Sequence, residues 1–212
     1  MYPFILESKK WKDRANTLLR EKELVEKLSL FGKVHFTGAY LYDLMMHGDI
    51  DISVIREKVF SKEEVLAIFN SFYSEGKFRS YFIGGDWDDP RKGNEFPEGY
   101  YVGLKEKVDG ETWKIDIWFF SEEEFKNRPN MTELQSIDDE KKNLILECKQ
   151  YKKDNSIKIT GKEIYTSVLS GEVKSIEALL VLKILEKLDC SNAFTASKKP
   201  LLPMGKLQIE IP

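Results

Sequence analysis

Apolar side chains recur along this chain at two spacings, and the spacing changes from one segment to the next. Between Trp11 and Leu30, the residues Trp11, Ala15, Leu18, Leu19, Val25 and Leu28 fall near one face of a helix, which Gly32 ends. Lys33 to Thr37 predicts a short strand, followed by Gly38 and a brief helical stretch from Ala39 to Met46. Asp49 to Ile55 alternates and predicts a second strand. Ser61 and Glu64 form a capping-box pattern, after which Val65, Ile68, Phe69 and Phe72 follow at helical spacing as far as Gly76. Lys77 to Ile83, Tyr100 to Val108 and Glu111 to Phe119 predict three more strands. The last two are joined by Asp109-Gly110, a pair suited to the positive φ angles of a type I′ hairpin turn. Between them and the strand ending at Ile83 lies a long segment rich in Gly, Pro and Asp, Gly84 to Gly99, expected to be functional or mobile.

Beyond Phe120 the spacing is helical. Ser136 to Tyr151 carries Leu144, Ile145, Cys148 and Tyr151; Lys162 to Leu169 predicts a short helix; Val173 to Leu188 is strongly apolar. Lys206 to Ile211 alternates weakly and reads as a strand or a loose end. The pattern divides the chain into a mixed N-terminal part, residues 1–125, and a helical C-terminal part, 126–212.

Composition narrows the classes. The 212 residues are 42% hydrophobic, enough for a sizeable core. Thirty-six acidic against 33 basic residues give a net charge of −3, which disfavours nucleic acid as a partner because a coat of basic excess is missing. No apolar run approaches the roughly 20 residues of a membrane span, and the N-terminus lacks a signal-peptide pattern. Cys148 and Cys190 lie in predicted helices without metal-ligand neighbours, and read as buried thiols of a reducing, cytoplasmic compartment.

The chemistry is concentrated in three short stretches: Thr37-Gly38-Ala39-Tyr40, Gly48-Asp49-Ile50-Asp51-Ile52 and Lys114-Ile115-Asp116-Ile117-Trp118. A strand turns successive side chains to opposite faces, so Asp49 and Asp51 share one face and Ile50 and Ile52 the other. Two carboxylates so placed repel, and a hard divalent cation relieves the repulsion. Asp116 repeats the pattern in a strand whose other face offers Trp113, Ile115, Ile117 and Phe119 to a core. If the two strands are neighbours, three carboxylates meet, and such a set can hold two metal ions for in-line phosphoryl or nucleotidyl transfer. Gly38, between a strand and a helix start, lets backbone N–H groups approach a phosphate. Taken singly, each piece has a plain alternative as a solvated pair or an ordinary turn.

Together, Gly38-Ala39, Asp49-x-Asp51 and the later strand aspartate Asp116 resemble the signature of the nucleotidyltransferase superfamily with the DNA polymerase β-like fold. The resemblance covers about Lys33 to Phe119, and is to small antibiotic or minimal nucleotidyltransferases. It implies an α+β fold, a mixed sheet backed by helices, with a C-terminal helical region. It implies Mg²⁺ or Mn²⁺ and a nucleoside triphosphate at the site. Asp49 and Asp51 would be metal ligands, Asp116 a third ligand or the base for the acceptor hydroxyl, and Gly38 the triphosphate cradle. Position 39 departs from the pattern: the family carries serine there, and this chain alanine.

Further candidates surround these. Arg91 and Lys92 in the long segment, Lys114 beside Asp116, and Thr37 and Tyr40 flanking the Gly38 turn are expected to reach the nucleotide. Tyr42, His47, Trp87, Trp118 and the acidic Asp86, Asp88 and Asp89 have weaker claims, against solvated or packing roles. The leading expectation is an enzyme that moves a nucleoside monophosphate to the hydroxyl of a small molecule or protein and releases pyrophosphate. The competing one is a nucleotide- or partner-binding module of the same fold without turnover, which Ala39 favours. A glycosyltransferase is disfavoured because only 48 residues precede Asp49, and a polymerase because no basic duplex-binding segment is evident. A homodimer is compatible with the apolar helix from Val173 to Leu188.

Overall fold

In the computed structural model the described residues are 2–85, 99–128 and 131–181. The N-terminal apolar pattern resolves into two helices, α1 (Pro3–Glu21) and α2 (Leu24–Ser29). They are separated where Glu23 takes a left-handed backbone, φ 53°. Helix α1 begins eight residues earlier than the spacing predicts. Pro3 opens it at a position where a missing N–H does no harm. Phe4 and Ile5 in its first turn pack partly buried against the core, and the first buried side chain, Ser8, donates through Oγ to the Asp43 carbonyl at 2.7 Å.

Five strands follow in the order β1-β2-β5-β4-β3 across one sheet: β1 (Lys33–Thr37), β2 (Asp49–Arg56), β3 (Ser80–Gly85), β4 (Tyr100–Val108) and β5 (Glu111–Ser121). β2 and β5 run parallel at the centre, and the remaining pairs are antiparallel. The sheet is thus mixed and backed by helices, the α+β class expected. One face is apolar throughout: Ile50, Ile52, Val54, Trp113, Ile115 and Ile117 are fully buried. Trp11 of α1 meets Trp113 at 5.6 Å, and Phe60, just before α4 (Lys62–Glu75), meets Phe119 edge-on at 5.2 Å. The capping box of Ser61 and Glu64 starts α4, and Gly76 ends it, as the sequence implies.

The connections differ more. The helical stretch after Gly38 shrinks to one turn, α3 (Gly38–Leu41), although Leu44, Met45 and Met46 are buried. Burial there comes from packing a loop, not a helix face. An unpredicted α5 (Glu122–Lys126) follows β5, started by a second capping box, Ser121 with Glu124. Helices α6 (Asp139–Asp154) and α7 (Gly161–Leu169) pack on each other, and α6 packs on α1. Ile145, Leu146, Cys148, Ile164 and Val168 join the same core as the sheet. Cys148 is a buried thiol whose pKa burial pushes up to about 11. Residues 176–181 are helical; the remainder of the segment expected from Val173 to Leu188, Cys190 and the terminal strand lie outside the described residues. Among the described residues no helix is long and apolar enough to cross a membrane.

Candidate active site

The polar face of the sheet is assembled by register. In the parallel β2–β5 ladder Asp51 stands opposite Asp116, and Asp49 opposite Lys114. In the antiparallel β1–β2 ladder Thr37 stands opposite Asp51. Alternation then turns Thr37, Asp49, Asp51, Lys114 and Asp116 to the face opposite the apolar one, because their neighbours fill the core. Asp49 and Asp51 of β2 therefore lie beside Asp116 of β5, which is distant in sequence, and the end of β1 brings Gly38 to the same place.

The contact with Gly38 is close. Its φ is +61°, and a Cβ at this position would lie 2.0 Å from Oδ2 of Asp51. The bare α-carbon is what lets the Asp51 carboxylate sit against the turn. The turn itself offers less than a full helix start: α3 has four residues, too few for a sizeable dipole, so an approaching phosphate meets single backbone N–H groups. Ala39 is 9% exposed and contributes no side-chain donor.

Electrostatics mark the aspartates as strained. Burial, then the charges of Asp49 and Asp116, raise the pKa of Asp51 to about 7. Burial also raises that of Asp49, with Lys114 opposing and Asp116 assisting. Oδ1 of Asp49 is buried without any hydrogen-bond partner. An orphaned carboxylate oxygen beside a second carboxylate suits a hard divalent cation, so the residues present fit Mg²⁺ or Mn²⁺. Among the described residues no group of three His, Cys, Asp or Glu side chains is gathered to hold one ion. On the β4 side of β5, the Tyr101 hydroxyl donates to Oδ1 of Asp116 at 2.7 Å.

The C-terminal helices bring positive charge to the same place. Lys149 of α6 is 8% exposed, and its Nζ donates to the Leu44 carbonyl and, at 3.1 Å, to the Tyr165 hydroxyl of α7. Burial lowers its pKa to about 8, while the charges of Asp49 and Asp51 act to raise it. His47, just before β2, is held to about 4 by partial burial and then by Lys149, Lys152, Lys153 and Lys114. Four lysines thus surround the entry to β2. Arg128, after α5, returns over the polar face: Nη1 donates to Ser53 at 3.3 Å, and the guanidinium lies 4.4 Å from the Phe120 ring centre.

Tyr40 is placed differently from its neighbours. Its hydroxyl donates to Asn16 at 2.7 Å, its ring packs on Phe36 at 4.3 Å, and Lys12 lies 4.0 Å over it. Its side chain is committed to α1 and β1. Trp118 shares the face of Asp116 and packs on Tyr101 at 5.1 Å. Arg91, Lys92, Trp87 and the acidic trio Asp86, Asp88 and Asp89 lie outside the described residues. Tyr101, Arg128, Lys149 and Tyr165 were missed by sequence reasoning. A lysine inside an apolar helix stripe, with Leu144, Ile145 and Cys148, was the one available signal.

No family model and no curated protein matches the chain. Solved structures do. A cytoplasmic RNA terminal U-transferase shares 19% identity at a TM-score of 0.44, over 71% of this chain and 42% of its own. The Cid1 poly(U) polymerase shares 19% at 0.48, over 76% and 48%. The non-canonical poly(A) polymerase complex GLD-2–GLD-3 shares 14% at 0.49, over 80% and 57%. The chain spans about half the length of the structures it matches. These neighbours are nucleotidyltransferases, the class to which the sequence resemblance points. The expectation that disfavoured nucleic acid as a partner is not borne out. Net charge measures the whole surface, whereas a strand end needs only a local cationic cluster.

Proposed function

We propose that this chain is a metal-dependent nucleotidyltransferase of the polymerase β-like superfamily. It would move a nucleoside monophosphate from a nucleoside triphosphate to an acceptor hydroxyl. The observation that supports this best is the rank of Asp49, Asp51 and Asp116 across the central parallel strands, facing away from the core beside the Gly38 turn. Asp49 and Asp51 would hold Mg²⁺ or Mn²⁺, which supplies charge neutralisation on the phosphates and acidifies a nearby hydroxyl. Lys114, Lys149 and the backbone at Gly38 and Ala39 would receive the triphosphate, with Thr37 at the edge. Arg91 and Lys92 remain candidates for the same role from the long segment. Asp116 would be a third ligand or the base that accepts the acceptor's proton. The acceptor oxygen then bonds to the α-phosphorus, the bond from that phosphorus to the bridging oxygen breaks, and its electron pair departs with pyrophosphate.

A second reading, a nucleotide-binding module without turnover, is favoured by Ala39. Pyrophosphate release separates the two. Each triphosphate is supplied with Mg²⁺ or Mn²⁺ and with acceptors that include oligoribonucleotide 3′ ends, small hydroxyl compounds and protein side chains. Release that is lost in Asp49→Asn and Asp51→Asn is expected. Release untouched by Asp49→Asn would exclude the mechanism, and nucleotide binding with no release under any acceptor would establish the module.

A further inference from the structure

Tyr101 of β4 reaches Asp116 of the adjacent β5 along a diagonal that Gly103 leaves open. In the β4–β5 ladder the residue opposite Asp116 is Gly103, and Tyr101 is the next β4 residue on the same face. A ring can lie down along its own strand only where the intervening position is bare. A Cβ on Gly103 would stand 2.4 Å from the Tyr101 hydroxyl oxygen and 2.9 Å from the ring carbon that bears it. With glycine there, the ring lies over the strand, packs on Trp118 and places its hydroxyl 2.7 Å from Oδ1 of Asp116.

The direction of that pull matters because β5 lies between β2 and β4. Asp51 and Asp116 are register partners on neighbouring strands, roughly 5 Å apart at the backbone. At that spacing their carboxylates can share an ion. The tyrosine hydroxyl engages one Asp116 oxygen from the β4 side, opposite to β2. Among the described residues no three ligands converge, and Asp49 keeps a buried oxygen with no partner.

We infer that Tyr101 is a positioning residue: its hydroxyl, seated over Gly103, holds Asp116 apart from the Asp49–Asp51 pair until a divalent cation draws the carboxylate across. The inference takes the cation from the nucleotidyltransferase reading. The exchange breaks one hydrogen bond and makes one ligand contact, with no covalent change. It lets the sheet close in the absence of metal with the third negative charge diverted from the other two.

Mn²⁺ binding to the nucleotide-free protein, followed by the paramagnetic resonance of free Mn²⁺, tests it. Tyr101→Phe keeps the ring on Trp118 and removes only the hydroxyl. A hydrogen bond to a charged group no longer competes with the ion, so Tyr101→Phe is expected to bind Mn²⁺ about tenfold more tightly than wild type. The gain is expected to vanish in the double variant with Asp116→Asn. A gain in Tyr101→Phe from a wild type that takes up no Mn²⁺ also supports the latch. Equal or weaker binding by Tyr101→Phe, no uptake by either protein, or a gain that persists without Asp116 would overturn it. Pyrophosphate release judges the parent reading separately: an active wild type whose Tyr101→Phe variant binds Mn²⁺ unchanged is a transferase without a latch.

Discussion

Gly38 and Gly76 have nearly the same backbone, φ +61° and +64°, and opposite surroundings. Alanine at either must adopt the left-handed region, which costs a non-glycine residue about 1–2 kcal/mol. Loss of unfolded-chain freedom offsets about 0.4–1 kcal/mol of that. At Gly76 nothing lies within 4 Å of the added Cβ, so Gly76→Ala should lose only about 1 kcal/mol in a urea melt, with activity intact. At Gly38 the added Cβ falls 2.0 Å from Oδ2 of Asp51, whereas ordinary contact begins at 3.4 Å. The carboxylate must retreat by more than an ångström. A displacement of that size at a reacting centre is worth about 10²-fold in rate. Gly38→Ala should therefore match or exceed the stability loss of Gly76→Ala and also lose about 10²-fold in the kcat of pyrophosphate release. The pair of variants separates backbone strain from the clash, because strain is common to both. Wild-type kcat in Gly38→Ala would refute the placement of Asp51 against the turn as a requirement of the chemistry.

The raised pKa of Asp51 predicts a pH dependence of stability. A carboxyl that holds its proton more tightly when folded takes one up on folding between its ordinary value, near 4, and about 7. Stability conferred below that window is lost as pH rises through it, so urea midpoints at pH 5 should exceed those at pH 8, and Asp51→Asn should flatten the difference; a wild-type midpoint that rises over this range would contradict the burial of Asp51. Lys149→Met should raise the KM for the triphosphate by about tenfold, the worth of one contact to a charged group, with a smaller change in kcat. An unchanged KM would assign the buried ammonium to the Leu44 and Tyr165 contacts alone.

How much of this was legible beforehand differs by element. Strand alternation placed Asp49, Asp51 and Asp116 on one face and Trp113, Ile115 and Ile117 on the other, because each carboxylate interrupts a run that burial otherwise fills. Both ends of α4 were readable from Ser61, Glu64 and Gly76, whose chemistry is local. The start of α1 was not read, although Phe4 and Ile5 pack on the core, because the polar run from Glu7 to Lys10 interrupts the apolar spacing before Trp11. Nor was the one-turn length of α3, where Leu44 to Met46 look helical by spacing and are buried by tertiary packing. Lys149 and Tyr101 were hidden for the same reason. Each acts across elements, and no local pattern says which strand or helix will lie opposite. The capping box of Ser121 and Glu124 was present in the sequence and could have announced α5.

The parallel pairing of β2 with β5 has a bearing on how the protein comes into being. Two parallel strands cannot be joined by a hairpin, and here α4, β3 and β4 all intervene. Closing so distant a pair is slow compared with forming the β4–β5 hairpin beside it. The aspartates of β2 and β5 are therefore expected to come together at a late step of folding, and a polypeptide cut short before Asp116 would carry two of the three candidate ligands. The same pairing sets Ile50 beside Ile115 and Ile52 beside Ile117, so apolar burial on one side of the ladder opposes carboxylate repulsion on the other at a single step.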